Sequence, residues 1–215
     1  MSPRPAGRAA GGEAAGGKAA GGKAAGGARL GLLLAPGASA GRDQPALVAI
    51  DEAVSALGVA VERMDFPYRL AGRRAPDQGP VLVDAVRRAA SGLAETAGVA
   101  PERIVLGGRS MGGRMCSMAV AEGLPARALV LVSYPLHPPG KPDKLRTEHL
   151  PLLTLPCLLV SGTRDAFGTP AELEAATAAI PGLVEHRWLD GGDHGLRGRD
   201  PAVASLVADW IAGLG

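Results

Sequence analysis

Residues Ile104–Gly112 read Ile-Val-Leu-Gly-Gly-Arg-Ser-Met-Gly and contain the most informative fold signal of the chain. Its first residues form a short apolar run that predicts a buried strand. Gly108–Gly112 then matches the pattern G-x-S-x-G, in which a serine occupies strained backbone between a strand and a helix. Met111–Glu122 is rich in Met and Ala and contains no proline, so an uninterrupted helix follows. The stretch therefore predicts a strand, a sharp turn that exposes Ser110, and a helix.

A second match to the pattern, Gly37–Gly41, also follows an apolar run. A helix that began at Ser39 would contain Pro45, which would remove a backbone hydrogen bond and clash with the preceding turn. This difference favours Ser110 over Ser39 as the nucleophile. Ser39 should instead lie in a loop.

The loop around Ser39 suggests a different role. Proteins with this serine turn take one donor of their oxyanion hole from a loop after an earlier strand. The backbone N–H groups of Gly37 or Ala38, together with that of Met111, are therefore candidate oxyanion donors. The alternative is an ordinary glycine turn.

Short apolar runs alternate with segments of helical period along the rest of the chain, a pattern typical of an α/β fold with a mostly parallel sheet covered on both faces. The predicted strands are Arg29–Ala35, Val59–Asp65, Arg103–Leu106, Ala128–Val132, Pro156–Ser161 and Val184–Leu189. The predicted helices are Pro45–Leu57, Pro80–Ala97, Met111–Glu122, Pro170–Ala179 and Pro201–Ala212. Four of these helices have proline in the first turn, where it is tolerated.

A serine hydroxyl needs a base to take its proton, and His194 is the best candidate among four histidines. It lies in the glycine-rich segment Leu189–Gly195, between the last predicted strand and the last helix. His186 falls within a strand and is expected to be a packed or surface residue. His137 and His149 lie in the proline-rich stretch after the fourth strand and are expected near the pocket, with His137 a candidate for substrate binding.

The base in turn needs a carboxylate to orient it, and Asp165 follows the strand Pro156–Ser161 at the expected carboxyl end of the sheet. In sites built on the G-x-S-x-G turn, the serine, the acid and the histidine follow one another along the chain in the order of Ser110, Asp165 and His194. Asp193 is adjacent to His194 in sequence, and adjacent side chains seldom face each other. Asp190 stays open as an alternative acid, and Asp165 could instead cap a helix.

Arg109, Arg114 and Arg164 lie beside these motifs. One interpretation is that they bind an anionic group of the substrate through bidentate contacts, with Arg109 the first candidate. The other is that they form ion pairs at the edge of the sheet.

The composition of the 215-residue chain fits one domain with an Ala-, Leu- and Val-based core, because aromatic residues are only 3%. The repeat Ala-Ala-Gly-Gly-Lys within residues 14–23 offers no large apolar side chain. Residues 1–27 are therefore predicted to be a disordered tail, and residues 28–215 the folded domain.

The formal net charge is +2, and residues 1–29 carry five scattered cations against Glu13 alone. No basic patch of the kind that binds nucleic acid is evident. Cys116 and Cys157 lie in apolar segments without metal-like spacing and are expected to be buried thiols. No apolar run is long enough to span a bilayer, so we expect no membrane partner and a cytoplasmic location.

The chain resembles the α/β-hydrolase superfamily, and within it the small dienelactone-hydrolase-like proteins. The resemblance rests on Gly107–Arg114, on Tyr134–Pro142 and on the stretches that hold Asp165 and His194. Relatives in this branch include a testis-expressed hydrolase-like protein and a subunit of the nonspecific-lethal histone acetyltransferase complex. Dienelactone hydrolases proper have cysteine where this chain has Ser110, so their substrate is not carried over.

The resemblance implies an α/β-hydrolase fold. The fold is expected to be shortened to about six strands, because the first strand begins at about Arg29, and neither Phe66–Gly79 nor Ser133–Pro156 is long enough for a large lid domain. The resemblance also implies a serine hydrolase that acts through an acyl-enzyme on a small ester-like substrate, with no cofactor and no metal. The alternative is a catalytically silent interaction or scaffold protein that keeps the fold. The oligomeric state, the natural substrate and its chain length stay open.

Overall fold

The structure is a computed structural model that describes residue 1 and residues 30–214. Apart from Met1, the predicted tail over residues 1–27 lies outside the described residues.

The described residues form a sheet of six strands in the order β2-β1-β3-β4-β5-β6. A mostly parallel sheet was expected, and every strand pairing between residues 30 and 214 is in fact parallel. The strands are β1 Gly31–Ala35, β2 Ala60–Arg63, β3 Ile104–Arg109, β4 Ala128–Val132, β5 Cys157–Gly162 and β6 Val184–Leu189.

Strand β3 is longer than predicted. The predicted strand ended at Leu106, but Gly107 and Gly108 pair in register with Val130 and Leu131 of β4. Cross-strand pairing therefore overrides the weak strand propensity of glycine and carries β3 to Arg109.

Six helices connect or flank these strands within the described part of the chain. They are α1 Pro45–Ser55, α2 Pro67–Leu70, α3 Gly79–Ala97, α4 Met111–Ala121, α5 Pro170–Thr177 and α6 Asp200–Ala212. The short α2 and two single 3₁₀ turns, Pro101–Arg103 and Leu150–Leu152, were not predicted, because elements this short carry no periodic signal. Proline occupies the first or second position of the five longer helices except α4.

The core lies on both faces of the sheet because strand side chains alternate in direction. In β1, Leu33 packs on one face, while Leu32 and Leu34 pack on the other. The first face is covered by α3 and α4, and the second by α1 and α6. A strand buried on both faces reads as a continuous apolar run, as the sequence of β1 does.

All strands run the same way, so their carboxyl ends share one edge of the sheet. The segments that follow β1, β3, β4, β5 and β6 at this edge contain most of the candidate site residues. The connection from β4 to β5, residues 133–156, has one 3₁₀ turn as its regular structure and forms no separate lid domain.

Candidate active site

Ser110 occupies the turn between β3 and α4 with φ 51° and ψ −118°, a conformation that is strained for a residue with a side chain. Its backbone N–H donates to the Val132 carbonyl at 2.8 Å. The turn is possible because Gly108 and Gly112 have no side chains: a Cβ on either residue would overlap the Ala35 carbonyl. The glycines of the motif therefore allow β1 to approach the turn closely.

The structure brings Ser110, His194 and Asp165 together. Ser110 Oγ lies 2.9 Å from His194 Nε2. His194 Nδ1 lies 2.8 Å from Asp165 Oδ2 and 3.0 Å from Asp165 Oδ1. A carboxylate that accepts from Nδ1 leaves Nε2 unprotonated and facing the serine, which is the arrangement by which proteins activate a hydroxyl.

Asp165 is held firmly below the histidine. It is 1% exposed, and its Oδ1 also accepts from the Phe167 backbone N–H at 2.8 Å. The Phe167 ring stacks on the His194 imidazole with the ring centroids 3.9 Å apart. The β5 and β6 loops meet because Gly162 touches the backbone of Gly192, where a Cβ would overlap the carbonyl.

The two other aspartates of this region are engaged elsewhere. Asp190 Oδ1 accepts from the Thr163 hydroxyl at 3.2 Å. Asp193 Oδ1 accepts from the Leu196 backbone N–H at 3.0 Å. Neither carboxylate lies within ion-pair distance of His194.

The Arg109 side chain lies against the loop that carries His194, and its Nη2 donates to the His194 carbonyl at 2.5 Å. Burial lowers the pKa of its guanidinium, and the charges of nearby aspartates, chiefly Asp165, oppose that shift. Arg109 thus helps hold the loop that carries His194. Arg164 is exposed and does not line the cavity beside Ser110.

His137 and His149 were expected near the pocket, but neither lines the cavity beside Ser110. His137 is 5% exposed, donates from Nδ1 to the Pro138 carbonyl at 2.9 Å and has Nε2 3.6 Å from Glu172. His186 lies at 2.9 Å from the Thr177 hydroxyl and stacks on Trp188, in agreement with its assignment as a packed residue.

A second serine–histidine pair was missed by the sequence analysis. Ser117 Oγ lies 2.8 Å from His149 Nε2 and also donates to the Arg114 carbonyl at 2.8 Å. Ser117 is fully buried in the middle of α4. Burial, and then the positive charge of Arg114, lower the pKa of His149 to about 4. A spacing of two helical turns between Ser110 and Ser117 places both serines on one side of α4, but nothing in the sequence shows that His149 approaches it.

A cavity of about 440 Å³ opens beside Ser110. Its walls come from the β1 loop, the serine turn, and residues after β4 and β5. The lining residues are Gly37, Ala38, Ser39, Ala40, Gln44, Arg109, Ser110, Met111, Arg114, Pro135, Arg146, Phe167 and His194.

The loop after β1 forms the wall that faces Ser110. Gly37 N–H donates to the Gln44 side chain at 3.1 Å, and Tyr68 donates its hydroxyl to the Ala38 carbonyl at 2.7 Å. Met111 is the first residue of α4, where N–H groups have no acceptor within the helix. Ser39 lies in a turn before α1, because the helix begins only at Pro45.

Both cysteines are buried and free, as predicted. Burial raises the pKa of each thiol to about 12, so both stay protonated near neutral pH. Within residues 30–214, no cluster of three or more histidine, cysteine, aspartate or glutamate side chains could hold a metal ion. No helix in this part of the chain is both long enough and apolar enough to cross a membrane.

Comparison with known proteins agrees with this architecture. Residues 28–209 match the model of the alpha/beta hydrolase domain family, and the chain belongs to that family.

Solved structures of hydrolases resemble the chain in fold. An alpha-beta serine hydrolase homologue from Coxiella burnetii is 18% identical, with a TM-score of 0.70 over 86% of this chain and 87% of that chain. Dienelactone hydrolase from Anabaena variabilis is 22% identical, with a TM-score of 0.69 over 87% of each chain. The esterase domain of a Rhodothermus marinus protein is 17% identical, with a TM-score of 0.66 over 86% of this chain and 88% of that chain. At these identities the likeness concerns the fold.

Proposed function

We propose that the chain is a serine hydrolase that cleaves ester-like substrates by acyl transfer. One observation carries the proposal: a continuous series of hydrogen bonds runs from buried Asp165 through His194 to Ser110, at a strained turn beside a cavity. Hydrogen-bonded groups in this order make a weak nucleophile reactive.

The proposed reaction has two halves. Ser110 Oγ attacks the carbonyl carbon while its proton passes to His194 Nε2, which then protonates the leaving alcohol. Asp165 accepts from Nδ1 and stabilises the imidazolium that forms. Water then attacks the acyl-enzyme while His194 Nε2 takes its proton, and His194 returns that proton to Ser110 Oγ as the acid leaves.

The negative oxygen of each tetrahedral intermediate needs donors, and Ala38 and Met111 are the proposed ones. The N–H of Gly37, the other candidate, already donates to Gln44 in this structure, which favours Ala38. The hydrogen bond from Tyr68 to the Ala38 carbonyl supports this role, because it fixes the peptide unit that directly follows the donor and so restricts the loop. One such donor is worth about 10²–10³ in rate.

The substrate class is proposed from chemistry and from the neighbouring structures. Those neighbours include an esterase domain and a dienelactone hydrolase, both of which are named for ester or lactone cleavage. The small dienelactone-hydrolase-like branch with testis-expressed and nonspecific-lethal relatives, like the cytoplasmic location, stays a prediction from sequence. The scaffold alternative keeps the same fold but requires no turnover.

A panel of short-chain esters tests the proposal on the purified protein. Wild type should hydrolyse several of them, and Ser110→Ala should reduce turnover by about 10⁴-fold or more. Ser39→Ala is the matched control, because Ser39 lines the same cavity but lies in a loop; it should cost about tenfold or less. A wild-type protein that cleaves no ester and does not react with a fluorophosphonate would support the scaffold alternative.

A further inference from the structure

The cavity beside Ser110 is lined by three arginines and by no aspartate or glutamate. These arginines are Arg109, Arg114 and Arg146. Among residues 30–214, no carboxylate lies within 4.0 Å of any of the three guanidinium groups. The wall of the cavity therefore carries positive charge without direct ion pairs.

Arg114 and Arg146 are the two arginines of this wall whose positive charge has no nearby anion in the described part of the chain to compensate it. Both are half-buried, and Arg114 Nε is buried without a hydrogen-bond partner. Arg146 donates one bond, from Nη1 to the Pro135 carbonyl at 3.1 Å. Both guanidinium groups line the same cavity, and burial, followed by the like charge of Arg114, lowers the pKa of Arg146. Two partly desolvated cations are unfavourable unless an anion joins them.

The neighbouring side chains do not supply that anion. Burial raises the pKa of Tyr134, so its hydroxyl stays neutral and donates to the Arg146 carbonyl at 2.7 Å. His149 is neutral near pH 7 because its pKa is about 4. The charge of Glu148 contributes to raising the pKa of Tyr134 and opposes the lowering of the pKa of His149. Its side chain is exposed, however, and is not ion-paired with either arginine.

Arg109 differs from this pair. Its guanidinium donates to the His194 carbonyl and lies in the field of Asp165, Asp193 and Asp200. The Arg109 guanidinium is therefore already bound to the loop that carries His194. The free cationic surface of the cavity is that of Arg114 and Arg146.

We propose that Arg114 and Arg146 form an anion-binding subsite beside Ser110, and that the substrate is an ester carrying a carboxylate or phosphate group. This inference rests on the proposed hydrolase function and adds the substrate class. Guanidinium groups suit both anions, because their planar donors bind two oxygens at once. The subsite would hold the anionic end of the substrate while Ser110 attacks the ester carbonyl.

Three ethyl esters of similar length test the inference: monoethyl glutarate, ethyl phosphonobutyrate and ethyl valerate. Wild type should prefer at least one of the two anionic esters to neutral ethyl valerate by about tenfold or more in kcat/KM. The two anionic esters distinguish a carboxylate from a phosphate-like group. Preference for the neutral ester would overturn the inference while leaving the proposed hydrolase intact.

Variants locate the subsite. Arg114→Gln and Arg146→Gln should each lower the ratio of kcat/KM for the preferred anionic ester to that for ethyl valerate by about 10–100-fold, as expected for the loss of one charge-assisted hydrogen bond. Arg164→Gln is the control, because Arg164 adjoins the same motifs but lies outside the cavity, and its ratio should not change. An equal loss for charged and neutral esters would indicate a structural role and contradict the subsite.

A binding measurement separates the subsite from catalysis. Glutarate and inorganic phosphate are titrated by calorimetry into wild type, Arg114→Gln and Arg164→Gln. Binding of one anion that is weakened about tenfold or more only by Arg114→Gln would support the subsite even if no ester is cleaved. Absence of binding by both anions, or equal binding to all three proteins, would overturn it. If the hydrolase proposal is wrong, wild type should show neither ester turnover nor reaction with a fluorophosphonate.

Discussion

Two serine–histidine pairs within residues 30–214 have nearly equal O–N distances, 2.9 Å for Ser110 with His194 and 2.8 Å for Ser117 with His149. They differ in where the hydroxyl proton goes. Ser117 donates its proton to the Arg114 carbonyl, which can only accept, so His149 Nε2–H must donate to Ser117. His194 is instead oriented by Asp165 to accept from Ser110. The two pairs therefore differ in the direction of the hydrogen bond and not in its length.

Surroundings separate the pairs further. Ser110 lies in strained backbone beside the cavity, whereas Ser117 is fully buried within α4. Within residues 30–214, no carboxylate lies at ion-pair distance from His149, but Asp165 lies 2.8 Å from His194 Nδ1. The second pair therefore links α4 to the connection between β4 and β5.

Replacing each histidine should produce the largest contrast. His194→Ala should reduce ester turnover by about 10⁴-fold or more, because the base is lost. His149→Ala should cost less than about tenfold in turnover and act mainly on stability. Steady-state kinetics and urea unfolding of both variants measure the two effects. Inactivation by His149→Ala in a stably folded protein would reverse the assignment of the base.

Replacing the acid tests the orientation of His194. Asp165→Asn should reduce kcat by about 10³–10⁴-fold, because an amide can stabilise the wrong tautomer of the imidazole. Asp190→Asn, which alters a carboxylate hydrogen-bonded to Thr163, is the matched control and should stay within a few-fold of wild type. If the Asp190 variant lost activity and the Asp165 variant did not, the acid would have to be reassigned.

The half-buried His149 should make the protein less stable in acid. Its pKa is about 4 in the folded state and about 6.5 when unfolded, so the unfolded chain binds more protons between these values. The stability from keeping His149 neutral is complete above pH 6.5 and is lost as the pH falls towards 4. Allowing for the solvent that reaches the ring, the loss is about 1–2 kcal/mol. Urea unfolding should show that the free energy of unfolding falls less between pH 7 and pH 4.5 in His149→Gln than in wild type. Equal falls in both proteins would refute the lowered pKa of His149.

The smallest expected effect concerns the loop that faces Ser110. Tyr68→Phe removes the hydroxyl that holds the Ala38 carbonyl at 2.7 Å. Because the Ala38 N–H remains available, kcat should fall only by about three- to tenfold with KM nearly unchanged. Leu70→Ala, an exposed neighbour on α2, should leave kcat unaffected. A fall in Leu70→Ala equal to that in Tyr68→Phe would show that general loosening of α2, and not the lost hydrogen bond, causes the effect.

Much of the fold and the candidate triad could be predicted from sequence, because the signals are local. Apolar runs place the six strands, and Pro45 separates Ser39 from Ser110 by its effect on a helix. The loops of Asp165 and His194 meet Ser110 because parallel strands end at one edge. These inferences need chain order and element type but no knowledge of side-chain contacts.

Other parts depend on tertiary contacts that no pattern encodes. Arg146 and His149 lie in a connection without periodicity, so their approach to α4 could not be predicted. His137 was expected near the substrate, but its ring lies against Pro138 and Glu172, outside the cavity lining. The choice between Gly37 and Ala38 likewise depends on the reach of the Gln44 side chain.

The most direct test of the central claim is to label the wild-type protein with a fluorophosphonate and map the adduct by peptide mass spectrometry. The probe reacts only with a hydroxyl made nucleophilic by its neighbours. We expect a single adduct on Ser110, none on Ser117 or Ser39, and no labelling of Ser110→Ala. An adduct on Ser117 or Ser39, or labelling that survives Ser110→Ala, would contradict the account.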